Sequence, residues 1–595
     1  MKASTLVAAL ILFASPARSQ NCSFDTITPS QNLTWCPCEG QFLCAKLDVP
    51  LSYLDPSLGR ASVPLLKLPA SPTSELGPYR GMILINPGGP GGSGITLART
   101  AGALLQSAIG SNYDIVGFDP RGVGLSSPLP DCAPSALAPR DAPRLADDFY
   151  QSYIDFGYSL GKNCSTSAAA AHMSSATTAR DMLSVVAAFS SSPDGARAAL
   201  DPSLLNYYGI SYGTFLGQTF ASMFPRRVGR VALDAVVSPE GFRANATYPN
   251  INHLDGALAA FFVYCHAAGP EKCAYHTGST PRDIFTRWNE SFAHLDAARA
   301  ESRNWDNATA VASALLTFKV AMLAAAVDPL TQFPAIANTL LQLEARVANS
   351  SSSSSSLSAW TAAVNDEIGD PSAAGWVNAD QVLGVLCSDQ RNRLYGYRID
   401  DFRPLIAQLQ GQSVIGETWI KTTLGCAGWG IQSDDVFEGP YGGDTEHPVL
   451  FVSNTFDPTT PIENAVANAP KFKNARRLTI EALGHGGSAT SNQCAFATVQ
   501  RYFQDKLCGR EHYCPLEAGP WGVLLNGTIQ ENLEAAGLAS LRSLDFCDVE
   551  QESTSIKVTA KACCQASEAK RLNNQTIVPS YPSFQRCFES LVTRG

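Results

Sequence analysis

The stretch between residues 204 and 217 constrains the fold more than any other part of this sequence. An apolar and aromatic run of strand character leads directly into Gly-Ile-Ser-Tyr-Gly (residues 209–213), and a helix-compatible segment follows. A turn this tight needs glycine where the strand and helix approach each other, and it holds Ser211 at its tip with the hydroxyl outward. The same pattern also arises by chance in chains rich in Gly and Ser. A nucleophilic role for Ser211 therefore requires a base, an acid and an oxyanion hole elsewhere in the chain.

Residues 1–19 have the pattern of a secretory signal peptide: a Met-Lys start, an apolar run over residues 6–14, and then Ala-Arg-Ser. That run is too short to span a bilayer, and no later stretch has the roughly 18 consecutive apolar residues of a transmembrane helix. The 17 cysteines lack zinc-type spacing and fit a disulfide-containing exported protein, and their odd number leaves at least one unpaired. We therefore expect a secreted, soluble mature protein.

The net charge and the glycosylation sequons limit the classes of partner that we expect for this protein. The formal net charge of −10 has no compensating basic patch, so we expect neither nucleic acid nor a membrane surface as a partner. Nothing in the sequence calls for a metal or a cofactor. N-x-[ST] sequons recur, which in an exported chain predicts N-linked glycans. The sequons are at Asn21, Asn32, Asn163, Asn245, Asn289, Asn307, Asn349, Asn526 and Asn574.

A glycine loop over residues 86–94 follows the apolar run Met82–Ile85, which has the character of a buried strand. Such a loop can turn its backbone N–H groups toward a ligand, because no Cβ blocks the approach. It also contains the dinucleotide-binding pattern G-x-G-x-x-G from Gly89 to Gly94. Pro87 and Pro90 reduce the N–H groups available to a pyrophosphate, so an oxyanion loop is favoured over a nucleotide site.

Strands and helices alternate through the first part of the chain. Strand-like runs at residues 113–119, 204–210 and 231–234 are separated by helix-like segments such as Thr177–Phe189. This alternation predicts an α/β fold with a mostly parallel sheet and helices on both faces.

From about residue 239 to residue 440 the pattern changes to Ala-rich helical stretches, with a run of serines at 350–356 that predicts a loop. The strand pattern resumes at Pro448–Ser453 and Arg477–Glu481. We therefore expect a signal peptide at 1–19, a core at 20–238, a large helical lid at 239–440, more core at 441–520 and a cysteine-containing tail at 521–595.

An aspartate and a histidine follow the last two predicted strands. Asp457 and His485 each come just beyond the C-terminal end of a strand, where ligands bind in open α/β sheets. The order Ser211, Asp457, His485 is that of an α/β-hydrolase triad. In that arrangement His485 takes the proton of the serine and Asp457 orients and stabilises the imidazole. Asp234, at the end of an earlier strand, is the alternative acid, but Asp457 lies one strand–helix unit before His485 and is preferred.

An oxyanion hole needs two N–H donors near the developing charge. Tyr212, directly after the candidate nucleophile, supplies one. The other comes from Gly88 or Gly89; the sequence does not decide between them, and we favour Gly89.

These motifs resemble those of the proline iminopeptidase and tripeptidyl aminopeptidase-like serine hydrolases. The resemblance rests on the glycine loop, Asp119–Ser126, the turn at residues 209–213, Asp457-Pro458 and Gly484-His485-Gly486. It spans roughly residues 44–514 and is weakest in the lid. Iminopeptidases usually carry His where this chain has Pro87, which favours the tripeptidyl branch.

The resemblance implies an α/β-hydrolase fold with a helical lid between strands 6 and 7, and removal of residues or short peptides from substrate N-termini. It further implies lid carboxylates that bind the substrate ammonium, for which Glu240, Asp255 and Asp389 are candidates. With export, it also favours disulfides between Cys387 and Cys426 and between Cys132 and Cys164, the latter less strongly.

Two alternatives remain open. A secreted esterase or lipase would use the same triad on an ester, with the lid deciding between peptide and ester substrates. A catalytically silent binding protein of the same fold is disfavoured by the intact Ser211, Asp457 and His485.

Overall fold

The computed structural model describes residues 22–130, 132, 146–245, 250–301, 317–348, 379–539 and 541. The expected signal peptide, the serine run and the tail cysteines at 547, 563, 564 and 587 lie outside the described residues.

Ten strands form one sheet within the described part of the chain, in the order β1-β2-β3-β5-β4-β6-β7-β8-β9-β10. The pairs β1/β2, β2/β3 and β3/β5 are antiparallel, and the remaining pairs are parallel. The strands are β1 (Cys36–Cys38), β2 (Phe42–Pro50), β3 (Arg60–Leu68), β4 (Gly81–Asn86), β5 (Tyr113–Phe118), β6 (Leu205–Ile210), β7 (Val228–Asp234), β8 (Leu450–Phe456), β9 (Arg476–Leu483) and β10 (Glu511–Cys514). This mostly parallel sheet, with its helical connections, is the α/β-hydrolase fold expected from the sequence.

Helices connect the parallel strands and fill the insertion. They are α1 (Gly94–Ile109), α2 (Ala146–Cys164), α3 (Ser175–Ser190), α4 (Pro193–Ala196), α5 (Tyr212–Met223), α6 (Pro239–Asn245), α7 (Leu254–Ala268), α8 (Pro281–Glu301), α9 (Pro329–Ala348), α10 (Ala379–Asp389), α11 (Ile399–Gln412), α12 (Lys421–Gly425), α13 (Ile462–Asn468), α14 (Gln493–Phe503) and α15 (Ile529–Ala535). Residues 317–327 are also helical.

The central strands β4, β5 and β6 are buried along their whole length, as expected for parallel strands covered on both faces. On one face Ile83 and Ile85 pack in a cluster with Ile95 of α1 and Phe503 of α14. On the other face lies α5, where the Tyr207 hydroxyl donates to the carbonyl of the α5 residue Gly213 (2.8 Å). The sheet thus fixes the carboxyl ends of its strands between two helical layers.

The helical insertion lies between β7 and β8, which are the sixth and seventh strands when the short extra strand β1 is left out. It contains α6 to α12 within the described residues. The Ala-rich helical character expected for this part of the chain is present in α7 and α9.

Six disulfides join cysteines of the described residues: Cys22–Cys36, Cys38–Cys44, Cys132–Cys164, Cys265–Cys273, Cys387–Cys426 and Cys494–Cys514. Both expected pairs are among them, and Cys508 is exposed and has no disulfide partner among the described cysteines.

Three of the sequon asparagines, at positions 32, 163 and 526, are exposed, and Asn289 is half-buried. Among the described helices, none is both long enough and apolar enough to cross a membrane.

Candidate active site

Ser211 stands at the sharp turn between β6 and α5. Its backbone has φ 57° and ψ −123°, an unusual conformation for a residue with a side chain. The flanking glycines are required by close packing: a Cβ on Gly209 would lie 2.4 Å from the Gly213 carbonyl, and one on Gly213 would lie 2.7 Å from that of Asn86. The turn is the strained strand-to-helix geometry that exposes a nucleophile in α/β-hydrolases.

Hydrogen bonds hold this strained backbone in place. The Ser211 N–H donates to the carbonyl of Asp234 at the end of β7 (2.9 Å). Its own carbonyl accepts from both the N–H (2.8 Å) and the hydroxyl (2.6 Å) of Thr214. Strain of this kind persists only where the surroundings determine it, and it concentrates at functional sites.

His485 and Asp457 are in direct contact at the carboxyl ends of β9 and β8. The imidazole Nδ1 lies 3.0 Å from each carboxylate oxygen of Asp457, which is fully buried. That carboxylate also accepts from the N–H groups of Thr459 (3.0 Å), Thr460 (2.8 Å) and Gly486 (3.1 Å), and from the Thr460 hydroxyl (2.9 Å). A carboxylate with this many donors is fixed in its ionised form.

The two groups shift each other's pKa. Burial alone would raise the pKa of Asp457, but the adjacent His485 and the surrounding hydrogen bonds bring it below the usual value. Burial would likewise lower the pKa of His485, but the charge and hydrogen bond of Asp457, with the charge of Asp234, raise it above 6.5. With Nδ1 bonded to the carboxylate, Nε2 is the nitrogen left to exchange a proton with a reacting group.

Asp234, the alternative acid, has a different environment. Its buried carboxylate accepts from the Gly487 N–H (2.9 and 3.1 Å) and from the Tyr208 hydroxyl (2.8 Å). Because its carbonyl accepts from Ser211, Asp234 ties the turn at Ser211 to the loop that carries His485.

The glycine loop lies against the same turn. A Cβ on Gly88 would meet the Ile210 carbonyl at 2.6 Å, the Cβ of Ser211 at 2.9 Å and the Tyr212 nitrogen at 3.0 Å, so the two backbones approach as closely as glycine permits. The Gly88 N–H donates to Asn86 Oδ1 (3.1 Å). Which of Gly88 and Gly89 supplies the second donor stays a prediction, and we favour Gly89.

A carboxylate fills the position that a nucleotide phosphate would need. Asp119 Oδ1 accepts from the Ser93 hydroxyl (2.5 Å) and from the Ile95 N–H (3.2 Å) at the start of α1, directly after the glycine loop. A dinucleotide site would place its pyrophosphate at this helix N-terminus. The negative charge of Asp119 there disfavours the nucleotide alternative.

The three candidate ammonium-binding carboxylates lie on three different helices of the insertion. Glu240, in the first turn of α6, pairs with Lys471 (2.5 Å) and its side chain is 59% exposed. Asp255, in the first turn of α7, is buried and accepts from the Val414 N–H (3.1 Å). Asp389, the last residue of α10, is 3% exposed. A substrate-binding role for any of them stays a prediction.

Sequence reasoning missed the side chains that support the candidate residues. Thr459 and Thr460 donate to Asp457. Their role could have been predicted, because an Asp side chain often accepts from the backbone N–H groups two and three residues later in a turn. Ser175 contacts both Asp389 and Tyr212, and no local sequence pattern indicates these contacts, because its partners lie 214 and 37 residues away.

Comparison with known proteins finds relatives of this chain. The family model described as TAP-like protein matches residues 412–514. A tripeptidyl aminopeptidase of Streptomyces lividans is 28% identical over 484 residues, covering 78% of this chain and 82% of that protein. The chain has the α/β-hydrolase fold, and its matches, over residues 412–514 and over most of its length, are to TAP-like proteins.

Two further relatives of this chain have shorter matches. The serine protease Hip1 of Mycobacterium bovis is 33% identical over 234 residues, covering 35% of this chain and 40% of that protein. Carboxylesterase B of Mycobacterium tuberculosis is 39% identical over 94 residues, covering 16% and 17%. The chain is therefore a hydrolase, and its longer-matching relatives support the peptidase type.

Proposed function

We propose that this hydrolase is a secreted serine exopeptidase that releases residues or short peptides from substrate N-termini through an acyl-enzyme. The observation that carries the proposal is the pairing of His485 Nδ1 with the buried carboxylate of Asp457. Through Asp234, the loop of this histidine is tied to the strained backbone of Ser211.

The reaction follows from these positions. Ser211 Oγ attacks the carbonyl carbon of the scissile peptide bond, and its proton passes to Nε2 of His485. The carbonyl electron pair moves to oxygen, where the N–H groups of Gly89 and Tyr212 stabilise the negative charge. Asp457 stabilises the imidazolium during this step. The tetrahedral intermediate then expels the amine, which takes the proton from His485, and leaves the N-terminal fragment as an ester on Ser211.

Water completes the cycle. His485 accepts a proton from a water molecule as its oxygen attacks the ester carbonyl, and the same two N–H groups hold the second oxyanion. The bond between the carbonyl carbon and Ser211 Oγ then breaks, and Oγ takes a proton from His485. The fragment leaves as a carboxylic acid.

Specificity for a free N-terminus is supported by the aminopeptidase relative, which matches over most of both chains. A helical lid can close one end of a cleft, so that only a chain end fits, and a carboxylate there would pair with the substrate ammonium. Glu240, Asp255 and Asp389 are the candidates for that carboxylate. Secretion is supported by the signal-like pattern of residues 1–19 and by the disulfides, which are characteristic of oxidising compartments.

The test compares kcat/KM on matched peptidyl anilides of increasing length, each with a free or an N-acetylated terminus. Acetylation removes the cation and leaves a buried carboxylate unpaired, which costs about 3–5 kcal/mol. Hydrolysis should then fall by roughly 10²-fold or more. Ser211→Ala provides the background rate. Equal turnover of free and acetylated anilides would refute the exopeptidase while leaving the Ser211 chemistry intact.

The second candidate function is a carboxylic ester hydrolase, favoured by the short match to Carboxylesterase B. It would use the same serine, histidine and aspartate. Chromogenic acyl esters measured beside the anilides separate the two: an esterase turns over the esters and leaves the free-terminus anilides at the Ser211→Ala background.

A further inference from the structure

Helix α10 of the insertion contacts the glycine loop directly and is linked to Tyr212 through Ser175. Its 11 residues span roughly 16 Å at about 1.5 Å per residue. Near its first turn, Val382 lies directly on the glycine loop, since a Cβ on Gly91 would meet Val382 Cγ2 at 3.0 Å. The neighbouring Gln381 accepts through Oε1 from the Gly124 N–H (3.2 Å). The start of α10 therefore packs against the loop that contains Gly89.

The other end of α10 reaches Tyr212 through one intervening side chain. Asp389 accepts from the Ser175 N–H at Oδ1 (2.8 Å) and from the Ser175 hydroxyl at Oδ2 (2.6 Å). Because Ser175 gives its only hydroxyl proton to the carboxylate, its oxygen accepts from the Tyr212 hydroxyl, with which it also forms a hydrogen bond. The donors thus run in one direction, from Tyr212 through Ser175 to Asp389.

The whole chain of hydrogen bonds is buried. Asp389 is 3% exposed, Ser175 1% and Tyr212 3%. The Tyr212 ring packs against Phe242, with centroids 5.8 Å apart. Hydrogen bonds in such buried surroundings are stronger than in water, and leaving one unmade is costly. The orientation of Tyr212, and of its backbone N–H next to Ser211, is therefore set in part from the insertion.

We propose that Asp389 is a positioning residue that acts through Ser175 on Tyr212, and that α10 thereby holds both sides of the oxyanion hole. This inference rests on the proposed function, because it assumes that the Tyr212 N–H stabilises an oxyanion. It gives Asp389 a role in place of contact with the substrate ammonium, since both of its carboxylate oxygens accept from Ser175.

A purely structural role is the competing explanation. Ser175 is the first residue of the 16-residue helix α3, so Asp389, which accepts from the Ser175 N–H, also satisfies a donor at the start of that helix. A helix cap alone predicts that replacing Asp389, and with it these hydrogen bonds, lowers stability and leaves kcat unchanged. A positioning role predicts a loss in kcat with KM nearly constant, because the interaction with the oxyanion exists only in the transition state.

Tyr212→Phe is the decisive variant. It keeps the ring, the backbone N–H and both bonds between Asp389 and Ser175, so α3 retains its cap. We expect kcat on a free-terminus peptidyl anilide to fall about tenfold with KM changed less than about twofold, a smaller loss than the roughly 10²- to 10³-fold seen when a donor is removed outright. Asp389→Asn should lower kcat at least as much. The double variant should be no slower than the slower single variant, because both substitutions interrupt the same series of hydrogen bonds.

Asp400→Asn on α11 is the matched control, because this lid carboxylate is 81% exposed, and it should retain wild-type kcat. Wild-type kcat in Tyr212→Phe, or additive losses in the double variant, would overturn the positioning role. Should Asp389→Asn fail to fold, Tyr212→Phe still decides the question. An active Ser211→Ala would refute the proposed function instead, so the two failures are distinguishable.

Discussion

Replacing Asp457 by Asn tests the candidate catalytic centre with little change in shape. The wild-type carboxylate accepts from His485 and from the N–H groups of Thr459, Thr460 and Gly486. An Asn side chain keeps one accepting oxygen and turns an NH₂ group toward the remaining donors. It also removes the charge that stabilises the imidazolium during proton transfer.

The magnitude follows from the buried pair. Breaking a buried charge pair costs about 3–5 kcal/mol. At about 1.36 kcal/mol per decade, a transition state that loses this interaction is slowed roughly 10²- to 10⁴-fold. The assay is kcat of purified, folded Asp457→Asn on a free-terminus peptidyl anilide. Asp234→Asn is the matched control, because Asp234 is the other buried carboxylate near the site and bonds to Gly487 and Tyr208.

The pH profile gives a second readout for the same variant. In the wild type, the Asp457 charge contributes to a His485 pKa above 6.5, so activity should fall as the pH drops through that raised value and the base becomes protonated. Without the charge the imidazole pKa falls, and the residual activity of Asp457→Asn should persist to lower pH. A variant within fivefold of wild type, or a larger loss in Asp234→Asn, would refute Asp457 as the acid.

Three further predictions concern the nucleophile, the buried lid carboxylate and the cysteines. Ser211→Ala should lower hydrolysis by about 10⁴- to 10⁶-fold and abolish fluorophosphonate labelling; activity within tenfold of wild type would exclude Ser211 as the nucleophile. Burial raises the pKa of Asp389 from 3.8 to about 7, so its contribution to stability is present below the unfolded pKa and is lost as the pH rises toward 7. The melting temperature of the wild type should accordingly fall relative to that of Asp389→Asn between about pH 4 and pH 7. A difference in melting temperature that stays constant with pH would contradict the raised pKa. The charge of Arg243 in α6, which lowers the Asp389 pKa, is the same in both proteins. Peptide mapping without reduction should recover Cys387 joined to Cys426 and an alkylated Cys508, and an alkylated Cys387 would refute that bridge.

The sequence was informative wherever the signal was local. The turn at Ser211 could be predicted because its glycines are demanded by one close approach between consecutive elements. Asp457 and His485 could be predicted because each follows a buried strand, and parallel strands bring their carboxyl ends to one edge. The direct contact of these two side chains follows from the pairing of β8 with β9.

Other features depend on contacts between distant segments. Strand β3 contains Pro64, which argues against a strand by its sequence, yet it pairs with β2 opposite Lys46. Asp389 and Ser175 meet only after the insertion has folded onto the core, and neither stretch has a periodicity that indicates the other. The sequence could therefore suggest Asp389 as a lid carboxylate but not identify its partner.

The position of α10 has a consequence for engineering the selectivity of such hydrolases. Exchanging the insertion between relatives is an obvious route to a new substrate range, since the core chemistry lies in loops outside it. Here the exchange would also remove Gln381 from Gly124, Val382 from the glycine loop and Asp389 from Ser175. A chimera would gain a new substrate cleft but would lose the contacts by which α10 positions the glycine loop and Tyr212. Grafts that keep residues 379–389 of the host and vary the remaining helices should avoid that loss.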